Sequence, residues 1–495
     1  MPPGLDTLTS LHTLTSFVVG KEVPDEGNIG KLRDLNSLVN LRGKLKIIFN
    51  NYSTCDVANY REVELLTAVC LKNLSIQFSD QGGIDESLLA CLKPRGKLTR
   101  IKLESYKGFR LPSWAKSLAS SLPNLVKINL TNFDGIEILP SLSRLRHLKC
   151  LKLWGMPNVE FMESEVVVGP AYDELIFYPS LERLVLCKFP KLKGWWSEDI
   201  NCGTGKVGSS SAAVPSFPSL SELELNGCPS LTSLPSCSKL CTLYLHKCHG
   251  TLTFSENKRS LSGDSTIGPS SSMPSGIPLL YMENVTTDNI GMLDYLFEKY
   301  PKGIHFLCIQ HYEGESLSTL AEKCIEHSPC IKELEIWDCP NLMSLSGVVK
   351  HITNMQRLAI GRCKNMELEN NIVEAATVTT SLESLHLLSH LSFYSLPKLI
   401  NLPKELQYLT SLQSLRINDC ENLEALPEWI NNLTSLITLE VQRCHKLKSL
   451  PEAIAHMPAL ETFDIYGCEN LRRRCRQPDG EDWPKLRHIP RLIVR

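Results

Sequence analysis

The sequence predicts an α/β repeat solenoid whose short strands stack side by side into a parallel, concave sheet. Three observations carry this expectation. The first apolar residue of four successive units falls at Leu388, Leu412, Leu436 and Leu460, a step of 24 residues each time. Within each unit apolar and polar residues alternate, as in Leu415, Arg416 and Ile417, the period of a strand with one buried face. A unit of this size cannot bury its own leucines, so a core exists only between stacked neighbours.

Further columns keep the same phase. They read Leu391, Leu415, Leu439, Phe463; then Phe393, Ile417, Val441, Ile465; then Leu399, Leu423, Leu447, Leu471, with Pro403, Pro427 and Pro451 closing three of the units. Upstream, Ile331 and Met355 open units again 24 apart, and looser copies open at Leu71, Leu98, Leu125, Leu148, Leu181, Leu220 and Leu240. The segments IPLLYMENV and IHFLCIQHY fill the interval before Ile331. The consensus L-x-x-L-x-L-x-x-C/N-x-x-L over roughly sixteen units is that of a leucine-rich-repeat horseshoe, with loops and short helices on the convex side. At about 4.8 Å per strand its sheet has an arc of roughly 75 Å.

One repeat domain is therefore expected over 1–495, with irregular first repeats at 1–70 and repeats at 71–248 interrupted by inserted loops at 160–178 and 197–216. A third inserted loop follows at 249–276, then regular repeats at 277–471 and a C-terminal cap at 472–495. The interruptions are rich in Ser and Gly or break the period, and read as exposed insertions rather than domain linkers.

At 495 residues the chain is too long for one ordinary core. A hydrophobic fraction of 42% and mean hydropathy of -0.09 describe a soluble folded chain. The net charge of -2 points to no nucleic-acid or anionic-membrane partner. From Leu471 to Arg495 eight basic residues face three acidic ones, which reads as a solvated end cap. The N-terminus lacks a basic segment followed by an apolar one, and the apolar run at 65–71 is too short to span a bilayer. The nineteen cysteines are thus expected as free thiols in a reducing, cytoplasmic compartment. Cys228, Cys248, Cys339, Cys363, Cys420, Cys444 and Cys468 all occupy the C/N column, where a small side chain tucks beneath the turn after the strand. With no C-x-x-C pair, a metal site is not expected.

No cofactor and no enzymatic activity are expected either. Gly-Lys occurs at Gly20, Gly30, Gly43, Gly96 and Gly205, but Ser or Thr never follows, so the phosphate-binding loop G-x-x-x-x-G-K-[ST] is absent. There is also no H-E-x-x-H and no G-x-S-x-G. Function is expected instead on the concave face. The residues flanking the inward columns there include Trp154, Tyr244, His246, Trp337, Arg416 and Tyr466, with Arg362 and Arg443 adjacent. Large aromatics on a solvent-facing sheet either meet a partner or pack on one another across strands.

Longer stretches carry a family resemblance. MPPGLDTLTSLHTLTSFVVG, GNIGKLRDLNSLVNLRGKLKI, LKGWW and EDWPKLRHIPRL, with the cysteine-filled C/N column, resemble the repeat domain of plant coiled-coil nucleotide-binding disease resistance proteins. The resemblance covers essentially the whole chain and implies recognition of a pathogen effector or a guarded host protein. It also implies autoinhibitory contact with a nucleotide-binding switch module, which is not among these residues and would come from another chain. The expectation is a receptor's repeat domain lacking the N-terminal domains. The competing reading is a stand-alone interaction adaptor, such as a ubiquitin-ligase substrate receptor, which needs an adaptor-binding helical motif that residues 1–50 do not show.

Overall fold

The computed structural model describes residues 5–19, 32–50, 71–79, 85–94, 97–163, 178–196, 216–235, 237–249, 252–254, 284–299, 303–320, 322, 330–345, 348–352, 354–368 and 385–495. Two compact units divide the chain, Met1–Cys241 with Lys247–Leu280, and Thr242–His246 with Tyr281–Arg495.

The first unit holds β1 (Ser16–Val19), β2 (Gly43–Phe49), β3 (Leu71–Gln77), β4 (Arg100–Glu104), β5 (Lys127–Thr131), β6 (Cys150–Trp154), β7 (Phe161–Glu163), β8 (Arg183–Cys187), β9 (Gly194–Trp196), β10 (Glu222–Asn226) and β11 (Ser233–Leu234). Strand β12 (Thr242–His246) belongs to the second unit, while β13 (Thr253–Phe254) lies in the first. The second unit continues with β14 (Asn284–Thr287), β15 (Phe306–Gln310), β16 (Glu333–Trp337), β17 (Arg357–Gly361), β18 (His390–Tyr394), β19 (Ser414–Asn418), β20 (Thr438–Gln442), β21 (Thr462–Tyr466) and β22 (Arg491–Val494).

In the first unit β1 through β6, β8 and β10 pair in that order, every pair parallel. In the second, β12 and β14 through β22 do the same. Each unit is a leucine-rich-repeat solenoid. Its inward columns are sealed: Leu391, Leu415, Leu439 and Phe463 are all at most 1% exposed. Each such leucine contributes about 1.5–3 kcal/mol by leaving water, and only because a neighbouring repeat covers it.

The parallel ladder extends one residue past each strand. Asp338, Arg362, Ser395, Asp419 and Arg443 each follow a strand directly and take a positive φ. A side chain in that left-handed region costs roughly 1–2 kcal/mol. The turn nevertheless lets each N–H reach the last carbonyl of the next strand, as Arg362 N donates to Tyr394 O (2.8 Å) and Arg443 N to Tyr466 O (2.7 Å). The following residue then drops beneath the sheet end. In the second unit that residue is usually the column cysteine. Cys444 Sγ donates to Gln442 O (3.4 Å) and Ile417 O (3.9 Å), and Cys468 Sγ to Tyr466 O (3.6 Å) and Val441 O (3.7 Å). In the first unit Tyr106 and Phe133 hold that place, and together with Phe49, which ends β2, and Phe78, which follows β3, they form a run of ring contacts at 5.1–5.5 Å. Two residues beyond the column, asparagines tie each repeat to the one before it. Asn422 Nδ2 donates to Pro397 O (2.6 Å) and Asn470 Nδ2 to His445 O (3.2 Å).

On the opposite side of the repeats, Pro403, Pro427 and Pro451 each start a short 3-10 turn. The carboxylate of Glu428 accepts from the N–H groups of Glu452 (3.2 Å) and Ala453 (3.0 Å), so one repeat caps the turn of the next.

Among the described residues the two ladders hold eight and ten strands, in keeping with roughly sixteen repeat units. Two expectations need correction. The interruption at 160–178 is not exposed at its ends: Phe161–Glu163 is β7, paired with β9, and Met162, Glu163 and Tyr178 are buried. The third interruption likewise contributes β13, paired with β11, and a buried Leu252. These small sheets form where loops of adjacent repeats can share backbone hydrogen bonds away from the main ladder. Residues 164–177, 197–215, 250–251 and 255–276 lie outside the described residues.

Two buried carboxyls respond to pH in opposite senses. Glu163 Oε1 accepts from Tyr178 O–H (2.5 Å), Ser143 N (3.0 Å) and Leu142 N (3.2 Å). Burial outweighs these donors and raises the carboxyl above its ordinary value. The unfolded chain therefore releases this proton first, so stability falls as pH rises from about 4 through the raised native value. Glu163→Gln is expected to flatten that slope in urea unfolding measured across the window.

Asp482 is inaccessible to solvent, and burial alone would raise its carboxyl too. Hydrogen bonds from Arg474 Nε (2.8 Å), Lys485 Nζ (3.0 Å) and Leu450 N (3.2 Å) overcome this and hold it below the usual range. Its stabilisation is complete above the unfolded carboxylate value and is lost as pH falls through the lower native one. Asp482→Ala, which removes the acceptor of the buried Leu450 N–H and one carboxylate from Arg474 and Lys485, is expected to cost about 3 kcal/mol. Hydrogen exchange at β21 and β22 should accelerate, and unchanged protection there would refute the role of this cap.

Candidate protein-recognition site

The solvent face of each sheet is made from the residues left over by the leucine columns. In the second unit one continuous row runs Gln310, Trp337, Gly361, Tyr394, Asn418, Gln442, Tyr466, each opposite the next. The row two residues earlier reads Cys308, Glu335, Ala359, Ser392, Arg416, Glu440, Asp464.

The densest cluster lies around Trp337. Its indole spreads over Gly361, where a Cβ would collide with the ring's Cζ3 and Cε3. This brings the ring within 5.1 Å of Tyr394, one strand further on. Trp337 Nε1 donates to Glu335 Oε2 (2.8 Å), and the Arg362 guanidinium stands 4.9 Å from the ring centroid. Arg362 is itself held by Asp338 through Nε to Oδ1 and Nη2 to Oδ2, both 2.6 Å. Those hydrogen bonds lower the Asp338 carboxyl and raise Arg362, so the pair stays ionised. A planar guanidinium fixed over an aromatic face is a preorganised contact with little side-chain entropy left to lose on binding.

Other expected residues are placed differently. Arg443 lies in the turn after β20, as Arg362 does after β17, so both sit at the rim rather than on a strand. Arg443 stands 5.9 Å from the ring of Tyr466. That pair is five strands from Trp337, roughly 24 Å along the sheet. Arg416 Nε is bonded to Glu440 Oε1 at 3.1 Å. Tyr244 and His246 share β12. The His246 ring lies 4.6 Å from that of His311, with its Nδ1 3.2 Å from Asp288 Oδ2. Trp154 closes β6 in the first unit, 40% exposed, with Lys188 Nζ 5.5 Å from its ring. Mutual packing thus accounts for Trp337, whereas Trp154 and Tyr466 keep about two fifths of their surface in water.

Tyr394, Asp338 and His311 belong to these clusters but were not expected there. Tyr394 follows the column residue Phe393 and so occupies the same row as Trp337; its position was available from the repeat phase. Asp338 and His311 occupy the left-handed turn, which no apolar column marks. The solvent face of the first unit is strongly basic over β2 to β6, where Lys44, Lys46, Arg100, Lys102, Lys127 and Lys152 face Glu104. Among the described residues no group of three His, Cys, Asp or Glu side chains is placed to hold a metal ion. No helix among them is long and apolar enough to cross a membrane.

Two family models match the chain, one described as R13L1/DRL21 LRRs over residues 32–156 and one as plant disease resistance protein RPS2-like leucine-rich repeats over residues 318–469. These are leucine-rich repeats of the plant disease-resistance type. Among relatives, the disease resistance protein RGA2 of Solanum bulbocastanum is 32% identical over 233 residues, 46% of this chain and 22% of that protein. The putative disease resistance RPP13-like protein 1 of Arabidopsis thaliana is 24% identical over 359 residues, 68% of this chain and 29% of that one. The chain thus spans about a quarter of the relatives it matches. Among solved structures, a TLR13–ssRNA13 complex aligns with 93% of this chain and 57% of its own, at 15% identity and a TM-score of 0.46.

Gly361 offers a sharp test of the Trp337 cluster, since the three atoms nearest to an added Cβ all belong to the indole. Gly361→Ala is expected to push the ring off Tyr394, red-shifting tryptophan emission and altering near-ultraviolet circular dichroism, with far-ultraviolet circular dichroism unchanged. Unaltered near-ultraviolet signals would show that the ring does not rest on Gly361.

Proposed function

We propose that this chain is the recognition end of an intracellular plant immune receptor. In this reading the solvent faces of its sheets bind a pathogen effector or a guarded host protein, and a nucleotide-binding switch module, in the same or another chain, senses that occupancy. The observation that carries the reading is the Trp337–Arg362 cluster on a repeat of the disease-resistance type. Trp, Tyr and Arg dominate interface energetics when a partner desolvates them. Asp338 already holds Arg362 in place, so closing a partner over the cluster orders little that was free. The basic face of the first unit adds long-range attraction for acidic proteins and speeds encounter rather than tightening the complex. The chemistry is non-covalent: binding energy is exchanged between a partner and the switch module, and no bond is made or broken.

The reading is tested by screening secreted pathogen proteins and candidate host targets for two-hybrid interaction with this chain, then measuring purified pairs by calorimetry. Trp337→Ala and Arg362→Glu are each expected to weaken the cognate pair by about 2 kcal/mol, roughly 30-fold, with the fold intact. Partners that bind both variants as tightly as the original chain would remove the sheet face from recognition.

A further inference from the structure

A second surface lies away from the sheet. Among the described residues the two most exposed large apolar side chains are Phe109 at 79% and Ile138 at 67%. They come from consecutive repeats, Phe109 from the loop after β4 and Ile138 from the loop after β5. Both line the same cleft, a space of about 840 Å3. Exposed apolar side chains are individually ordinary, but two gathered on one concavity mark an interaction site.

The cleft has a fixed floor. Leu111, Leu139 and Pro140 are buried in it. The loop that carries Phe109 is held by the buried Tyr106, whose hydroxyl donates to Arg110 O, and by Trp114 Nε1, which donates to Leu89 O (2.9 Å). The second loop is pressed against the first, since a Cβ on Gly135 would meet Gly108 O at 2.8 Å and Phe109 Cδ1 at 3.2 Å. The two apolar side chains therefore project from a preformed wall and not from a loose loop.

The charge around this concavity is one-sided. Arg110, Lys116 and Arg144 line it against Glu137 alone, in a chain whose net charge is -2. A simple inorganic anion would use the cations and leave Phe109 and Ile138 in water. An uncharged apolar segment would make no use of Arg110 and Lys116. We infer that this cleft docks a short acidic peptide segment of another protein, an aromatic or aliphatic anchor of which lies against Phe109 and Ile138 while flanking Asp or Glu side chains pair with Arg110 and Lys116. This site is independent of recognition by the sheet faces.

The test uses the whole chain and a random peptide library displayed on phage. Peptides are selected for binding to the chain and depleted on the triple variant Phe109→Ala, Ile138→Ser, Lys116→Glu, whose fold is verified by circular dichroism. The expected sequences combine Asp or Glu with one Phe, Leu or Trp. A fluorescein-labelled selected peptide should then lose about 30-fold in affinity on Phe109→Ala and weaken as salt rises, with Trp337→Ala having no effect. Selected peptides without the acidic and apolar combination would overturn the inference, as would binding to the triple variant within about threefold of the original. Equal binding of the same peptide with serine in place of its apolar residues, combined with displacement by inorganic tripolyphosphate, would reassign the cleft to a simple anion. A concentration-dependent dimer in sedimentation that Phe109→Ala abolishes would reassign it to a second copy of this chain.

Discussion

Every interior strand of these sheets gives its backbone hydrogen bonds to the repeats before and after it, and the column leucines are covered by those same neighbours. Bonds within a repeat are confined to short turns, such as Leu447 N to Cys444 O and Leu412 N to Leu409 O. The thiol of Cys444 reaches the carbonyl of Ile417 one repeat back, Asn422 reaches Pro397, and Glu428 caps the turn that begins at Glu452. After most strands of the regular repeats the next residue accepts a left-handed backbone so that its N–H can bond to the following strand. A repeat removed from the stack would keep its leucines and lose the surfaces that cover them, which is why stability in such arrays grows from interfaces. The end of the array needs a separate solution, and the last strand with the buried Asp482 cluster supplies it.

This dependence separates scaffold from surface. The period-two alternation of a strand sends the leucines to one side and everything else to the other. Residues such as Trp337, Tyr394, Arg416 and Tyr466 can vary without disturbing the columns that hold the fold. Gly361 is the exception, because it has no side chain in a row of large ones and the indole of its neighbour fills the space. The local arrangement is therefore set by a residue that contributes no contact group of its own.

The columns of leucine, the 24-residue step and the outward residues were readable from the sequence because they are periodic, and a period survives substitution at any one position. What was not readable lacks that redundancy. The left-handed turn is occupied by Ser, Asn, Lys, His, Asp, Arg or Gly in different repeats, with nothing in common but the backbone angle. The place under the turn is Cys in much of the second unit but Tyr or Phe in the early repeats, so a search for cysteine stops at the wrong point although Tyr106 and Phe133 stand in phase. Strands β1 and β22 have too few leucines to register as repeats and are recruited by an adjoining edge. The cleft at Phe109 and Ile138 arises from two loops whose approach depends on Gly108 and Gly135, and spacing along the chain carries no trace of it.

The regular register has a genetic corollary. Leu412 and Leu436 occupy equivalent places, as do Leu415 and Leu439, so deleting the 24 residues from one to the other would rejoin the chain with every column still aligned. Unequal crossing-over between the corresponding stretches of coding sequence would therefore yield shorter or longer arrays that still fold. Each event would remove or add a whole strip of outward-facing side chains at once. An array built this way changes its binding surface in units of a strand, by rearrangement as well as by point substitution.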